Sequence, residues 1–123
     1  MQKITKALTL LLFLTSLSTL TSCKKTNYEL IIGQWKCIEA TKHGQSDEME
    51  NNIGVVWNFT SDRTMQTIFT DGITYETKYE IEDDILTIID DDSPIPFTIT
   101  KLTNNELILD MEIVEGHFVF TKL

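Results

Sequence analysis

Residues 73–81 read Ile73-Thr74-Tyr75-Glu76-Thr77-Lys78-Tyr79-Glu80-Ile81. The period is two. An extended strand puts Ile73, Tyr75, Thr77, Tyr79 and Ile81 on one face and Thr74, Glu76, Lys78 and Glu80 on the other. One face suits a core and the other suits water, as in an antiparallel sheet. Asp71-Gly72 stands just before, a hairpin signal, because glycine tolerates the positive φ of tight turns. A two-residue turn would bring Ile68 to the Tyr75 face. A three-residue turn over Thr70-Asp71-Gly72 would bring Met65 and Phe69 there and leave Gln66 outside. A one-residue slip flips every side chain, and the three-residue form buries the better set.

The same alternation extends in both directions. Strands are expected at 33–40, 54–60, 64–70, 73–81, 85–90, 95–102, 106–113 and 117–122, with a long polar loop over 41–52. Turn chemistry separates them at Ser61-Asp62-Arg63, Glu82-Asp83-Asp84, Asp91-Asp92-Ser93-Pro94, Thr103-Asn104-Asn105 and Glu115-Gly116. Pro96 cannot donate to a ladder, so it belongs at a strand start or edge. Short strands at this spacing indicate a sandwich or barrel. Sequential strands with short links make a meander, and closing it removes both exposed edges. The expected fold is all-β, an eight-stranded antiparallel up-and-down barrel, with an open sandwich as the alternative. Such a barrel holds either packed side chains or one small ligand.

The inner faces are rich in aromatic and aliphatic groups. Trp57, Phe59, Tyr75, Tyr79, Phe97, Leu109, Met111 and Phe118 are the candidate cavity residues, with Phe120 and Ile99 beside them. They either line an apolar cup or fill a solid core. The phenols of Tyr75 and Tyr79 favour a cup, because a buried hydroxyl needs a partner. Glu39, two residues beyond Cys37, is expected to point inward near the open rim. Ile38, Ile88 and Val119 are expected on the outer face, where they could form one docking patch.

The N-terminus carries a different signal. Lys3 and Lys6 precede an apolar run from Ala7 to Leu20, which is shorter than a comfortable bilayer span. Leu20-Thr21-Ser22-Cys23 follows. The arrangement resembles a bacterial lipoprotein signal peptide, in which cleavage before the cysteine leaves it as a lipidated first residue. The resemblance implies a signal peptide over 1–22, a lipidated tether over 23–32 and a barrel over 33–123. It also implies a thioether-linked, acylated Cys23 that holds the domain to a bilayer.

Gly33-Gln34-Trp35, at the start of the first strand of an eight-stranded meander, resembles the lipocalin family. The chain is similar to the lipocalin-like lipoproteins of Bacteroidetes-type bacteria. The segments Trp57-Asn58-Phe59-Thr60-Ser61-Asp62-Arg63-Thr64, Tyr79-Glu80-Ile81 and Leu102-Thr103-Asn104-Asn105-Glu106-Leu107 share in that likeness. The resemblance implies structural roles for Gly33 and Trp35 at the closed end of the barrel. It also implies a basic residue packed over the tryptophan. Lys122 is the candidate, where family members more often carry arginine.

The chain has 10 Lys and Arg against 19 Asp and Glu, a net charge of −9. Removing residues 1–22 takes away two lysines and no acid, giving about −11. That balance excludes nucleic acid as a partner, since a phosphate-binding surface needs basic patches. Only two cysteines exist. With Cys23 acylated, Cys37 is read as a small buried hydrophobe. His43 and His117 lack a neighbouring nucleophile or metal-ligand spacing, and the acidic turns lack a calcium-loop pattern. No enzyme, cofactor or metal is therefore expected. The expected partners are the bilayer through Cys23 and a small apolar or amphipathic ligand. The alternative function is a solid-cored docking, accessory or inhibitor module with an envelope protein partner. Surface-exported lipoproteins of the Bacteroidetes-type bacteria whose lipoproteins the chain resembles usually carry acids just after the cysteine; Lys24-Lys25-Thr26-Asn27 has none, so the resemblance implies the periplasmic face of an outer membrane rather than the cell surface.

Overall fold

A computed structural model describes residues 25–45 and 49–123. The signal segment and Cys23 lie outside the described residues. Eight strands close into one antiparallel barrel, each paired with its neighbours in sequence. They are β1 (Gly33–Lys42), β2 (Val56–Phe59), β3 (Thr64–Ile68), β4 (Thr74–Glu82), β5 (Ile85–Asp90), β6 (Ser93–Leu102), β7 (Glu106–Met111) and β8 (Gly116–Lys122). β1 and β8 pair to complete the ring, so the sheet has no edge strand to protect.

The β3–β4 hairpin takes the three-residue turn. Thr67 pairs with Tyr75 and Met65 with Thr77, and Gly72 adopts φ +89°. Met65 is buried, whereas Gln66 faces outward and accepts a hydrogen bond from Asn58. The β5–β6 turn is tighter. Asp90 pairs with Ser93, and Asp91 and Asp92 both have positive φ, the requirement of a two-residue type I′ turn.

Pro96 lies inside β6, opposite Thr87, and not at its start. By ladder alternation from the Ile99 N–H···O=C Asp84 bond, the amide position of residue 96 faces the β7 side. β7 has already ended there, at Met111, so no ladder bond is lost.

Two bulges reset the inward pattern. Pairing with β8 shifts between Cys37 and Glu39, leaving Ile38 as the extra residue. Ala40 thus becomes the next buried position, and Glu39 sits exposed opposite Val119. The expected inward Glu39 is corrected by this bulge. A second shift between Ile99 and Lys101 carries Leu102 inward against the core.

Other departures are local. The strand expected over 106–113 is cut short: β7 stops at Met111 and Glu112–Val114 forms a 3-10 turn, which leaves Ile113 77 % exposed. β1 continues to Lys42, and Glu50–Asn52 forms another 3-10 turn within the expected polar loop. The outer patch of Ile38, Ile88 and Val119 is not assembled. Ile38 is exposed, but Ile88 and Val119 are buried.

The segment read as a tether is structured from Asn27 onward. Helix α1 (Asn27–Ile31) is capped by Thr26, whose hydroxyl accepts from the Glu29 N–H. It sits over one barrel end. The Asn27 amide donates to the Asp83 carbonyl and the Tyr28 hydroxyl to the Ser61 carbonyl. The Arg63 guanidinium lies 5.2 Å from the Tyr28 ring centre. Ile31 is fully buried. The helix therefore plugs the end formed by the β2–β3 and β4–β5 turns.

Candidate functional site

The two ends of the barrel are chemically different. At the plugged end the Trp35 indole is fully buried and donates from Nε1 to the Ile31 carbonyl at 2.7 Å. Lys122 pairs across from it on β8. The Lys122 ammonium stands 4.7 Å from the centre of the indole. It donates to the carbonyls of Ile32 at 2.8 Å and Leu30 at 3.4 Å. Those carbonyls lie at the end of α1, where helix carbonyls run out of intrahelical partners, so the cation caps the helix C-terminus. Partial burial holds this ammonium below the usual lysine range, with Lys25 adding to the effect.

Gly33 makes the crossing of the lysine feasible. Its φ is +129°, and a Cβ there would meet Lys122 Cε at 2.8 Å and Nζ at 2.9 Å. Gly33, Trp35 and Lys122 thus form one structural closure. None of the three faces the opposite end.

From that closure an aromatic column rises through the interior. Tyr79 is buried and donates to the Thr60 carbonyl at 2.6 Å. Burial pushes its phenol up to about 12. Phe59 packs edge-on against Tyr79 with centroids 5.0 Å apart. Trp57 stands above Phe59 at 6.1 Å, beside Phe120 at 4.9 Å and Phe97 at 5.7 Å. Phe97 in turn meets Phe118 at 6.0 Å. These separations are those of edge-to-face and tilted aromatic packing.

Above the column the barrel opens into a cavity of about 230 Å³. Its wall includes Val55 and Trp57 from the β2 side, Met65, Thr67 and Phe69 from the β3 side, and Tyr75 and Thr77 from β4. Ile88 and Asp90 of β5, Ile95 and Phe97 of β6 and the loop residue Asn52 complete it. Tyr75 donates to Asp90 at 2.6 Å. That carboxylate holds the phenol proton and raises the Tyr75 pKa. Ile53, Phe69, Ile73 and Tyr75 are exposed around the mouth.

Of the eight candidate cavity residues, Trp57, Tyr75 and Phe97 line the cavity. Phe59, Tyr79, Leu109 and Phe118 are buried in the core beneath and beside it, with Met111 packed against them. Those five fill space and are corrected from cavity lining to core. Ile88 moves the other way, from the outer face to the cavity wall. The sequence reading missed Asp90, Thr67 and Ile95, and placed Thr77 on the Tyr75 face without counting it as a cavity residue. Their signal was available in the pairing. A two-residue turn at Asp83-Asp84 puts Ile88 opposite Tyr79, and Asp90 follows on the same side.

Elsewhere the titratable groups are arranged for structure. Cys37 is buried, its thiol pushed up to about 11 by desolvation, with Sγ 3.5 Å from the Glu39 carbonyl. His117 pairs with Asp110 at 2.6 Å and His43 with Glu115 at 2.9 Å. No group of three or more metal-ligating side chains is present among the described residues.

Residues 31–109 match the lipocalin-like domain family. The chain belongs to that family. Among solved structures, a lipocalin-like protein from Bacteroides uniformis is similar, with a TM-score of 0.61 and 18 % identity. The alignment covers 76 % of this chain and 98 % of that one. No curated protein matches the chain. The shared fold is the lipocalin-like β-barrel.

Proposed function

We propose that this lipocalin-like protein is a lipid-anchored, non-enzymatic binder of a small apolar or amphipathic molecule in the cell envelope. The observation that carries the reading is the open cup of about 230 Å³ above a packed aromatic floor. Burial of Trp57, Phe97, Ile88 and Ile95 surface against a ligand would supply the affinity, at about 25 cal/mol per Å² of apolar area removed from water. The threonines, Asn52 and the Tyr75–Asp90 pair would orient a polar end. The volume lies below the roughly 300–1,000 Å³ of drug-sized sites, which selects a compact ligand.

Anchoring rests on the signal segment. An acylated Cys23 on an outer membrane, with the domain on the periplasmic side, accounts for the basic n-region, the short apolar run and the acid-free residues after the cysteine. A solid-cored docking module is less well supported, since the expected outer patch does not form and the barrel opens into a cup above its packed core.

Native mass spectrometry of protein purified from its own host tests the binding. A co-purified small molecule is expected, and a Thr67→Phe variant with a filled cavity should lack it. Absence of any bound molecule, together with failure to take up small apolar probes, would reject the reading.

A further inference from the structure

The cavity wall is electrostatically one-sided. Among the described residues, Asp90 and Tyr75 are its only ionisable side chains, and no lysine, arginine or histidine lines it. A carboxylate offers about four acceptor positions. Asp90 gives one to the Tyr75 hydroxyl, so most of its capacity is left for a donor entering from the cup. The chain as a whole carries −9, and Asp91 adjoins Asp90 at the rim. The remaining surroundings include the aromatic side chains of Trp57, Phe97 and Phe69. Electron-rich faces attract a cation, most strongly where water is partly excluded.

We propose that the cavity selects small organic cations, with a compact aromatic or aliphatic body seated against Trp57 and Phe97 and an ammonium end paired with Asp90. This inference rests on the reading of the cup as a binding site. A ligand ending in a carboxylate would meet a like charge with no counter-cation in the wall. A long acyl chain would exceed the volume. A compact amine meets both constraints. Its ammonium replaces water at a half-buried acid and forms a charge-assisted hydrogen bond, roughly twice as strong as a neutral one. Tyr75, already oriented by Asp90, keeps its hydroxyl oxygen as a further acceptor beside the charge.

The test uses three probes that share one body: phenethylamine, phenethyl alcohol and 3-phenylpropanoate, each titrated into the full-length protein. Calorimetry and Trp57 emission report binding, while Trp35 at the plugged end supplies an unresponsive background. The amine should bind at least about tenfold more tightly than the alcohol, a difference of about 1.4 kcal/mol. The propanoate should bind least. Asp90→Asn should remove the advantage of the amine over the alcohol. If that variant fails to fold, salt serves instead, since raising ionic strength should weaken amine binding to the wild type and spare the alcohol. Equal affinity for amine and propanoate, or an amine preference untouched by Asp90→Asn, would overturn the cation selectivity while leaving the cup a binding site. Failure of all three probes to bind would overturn both.

Discussion

Gly33→Ala is the sharpest test of how this barrel closes. The substitution adds one methyl group at φ +129°, where the new Cβ would lie 2.8 Å from Lys122 Cε. Two costs result. An L-residue in such a conformation carries strain of about 1–2 kcal/mol. The lysine end is flexible and yields before the backbone does, but in yielding it leaves its three contacts. Those are the Ile32 carbonyl at 2.8 Å, the Leu30 carbonyl at 3.4 Å and the Trp35 ring at 4.7 Å. Hydrogen bonds to a charged donor are worth about 1.5–3 kcal/mol when well made. Here one is long and the ammonium is partly solvated, so about 1–2 kcal/mol for the set is reasonable, with about 0.5–1 kcal/mol more from the indole. The expected total is about 3–4 kcal/mol, read by urea unfolding. In a domain of this size each kcal/mol lowers Tm by roughly 4–8 °C. A double-mutant cycle with Lys122→Met separates the parts. In the methionine background the glycine change should cost only the strain, giving a coupling of about 2 kcal/mol. Equal cost in both backgrounds would refute the argument that Gly33 exists to let the lysine cross.

Cys37 should resist maleimide in the native protein at pH 7.5 and react only as the chain unfolds, because burial keeps its thiol protonated; mass spectrometry of labelled peptides reads this, and rapid native labelling would contradict it. Tyr79→Phe should cost about 1–2 kcal/mol in denaturant melts by orphaning the Thr60 carbonyl. Its phenol titrates near 10 when unfolded and about 12 when folded. That contribution is whole below pH 10 and is lost as pH rises toward 12, so the variant should show a shallower stability decline across that window. A clickable palmitate analogue should label the wild type in its host and fail to label Cys23→Ser. Leu107→Ala, at a fully buried site, should destabilise by about 2–5 kcal/mol in the same melts.

What was legible in the chain follows from how strongly each segment separates its two faces. Residues 73–81 alternate cleanly, so strand, face and hairpin register could all be read, down to Met65 inside and Gln66 outside. The run Ile85-Leu86-Thr87-Ile88-Ile89 is apolar on both parities, so the pattern alone cannot say which set faces in. Ile88 was therefore assigned to the outside, and Asp90 was never brought into the cavity. Ile38 illustrates a second limit. A bulge inserts one residue without any composition signal, and the parity of Glu39 and Ala40 reverses behind it. Helix α1 left a trace that periodicity misses. Thr26-Asn27-Tyr28-Glu29 has the spacing of a capping box, but five residues are too few to show a helical period. The helix forms because Ile31 buries completely and its carbonyl receives Trp35 Nε1. Tertiary contacts decide it, not propensity.

The plug also determines which way the cup looks. On the proposed anchoring at Cys23, three residues separate the lipidated cysteine from Asn27, four Cα steps that reach no more than roughly 14 Å. Asn27 is fixed to the closed end through the Asp83 carbonyl. On that proposal the bilayer would lie next to the closed end, not the mouth. β1 has ten residues and runs about 33 Å along its own axis, which a barrel tilt near 40° reduces to roughly 25 Å of height. The mouth, with Ile53, Phe69 and Ile73 exposed around it, would then stand off by that height and face the aqueous side. A ligand lifted straight out of the anchoring leaflet would need the domain to invert on a three-residue leash, Lys24 to Thr26. The geometry instead favours capture from solution or from a donor that presents its cargo to the apolar rim. It also gives the short linker a mechanical sense, since a plug tied close to the lipid keeps the cup turned outward.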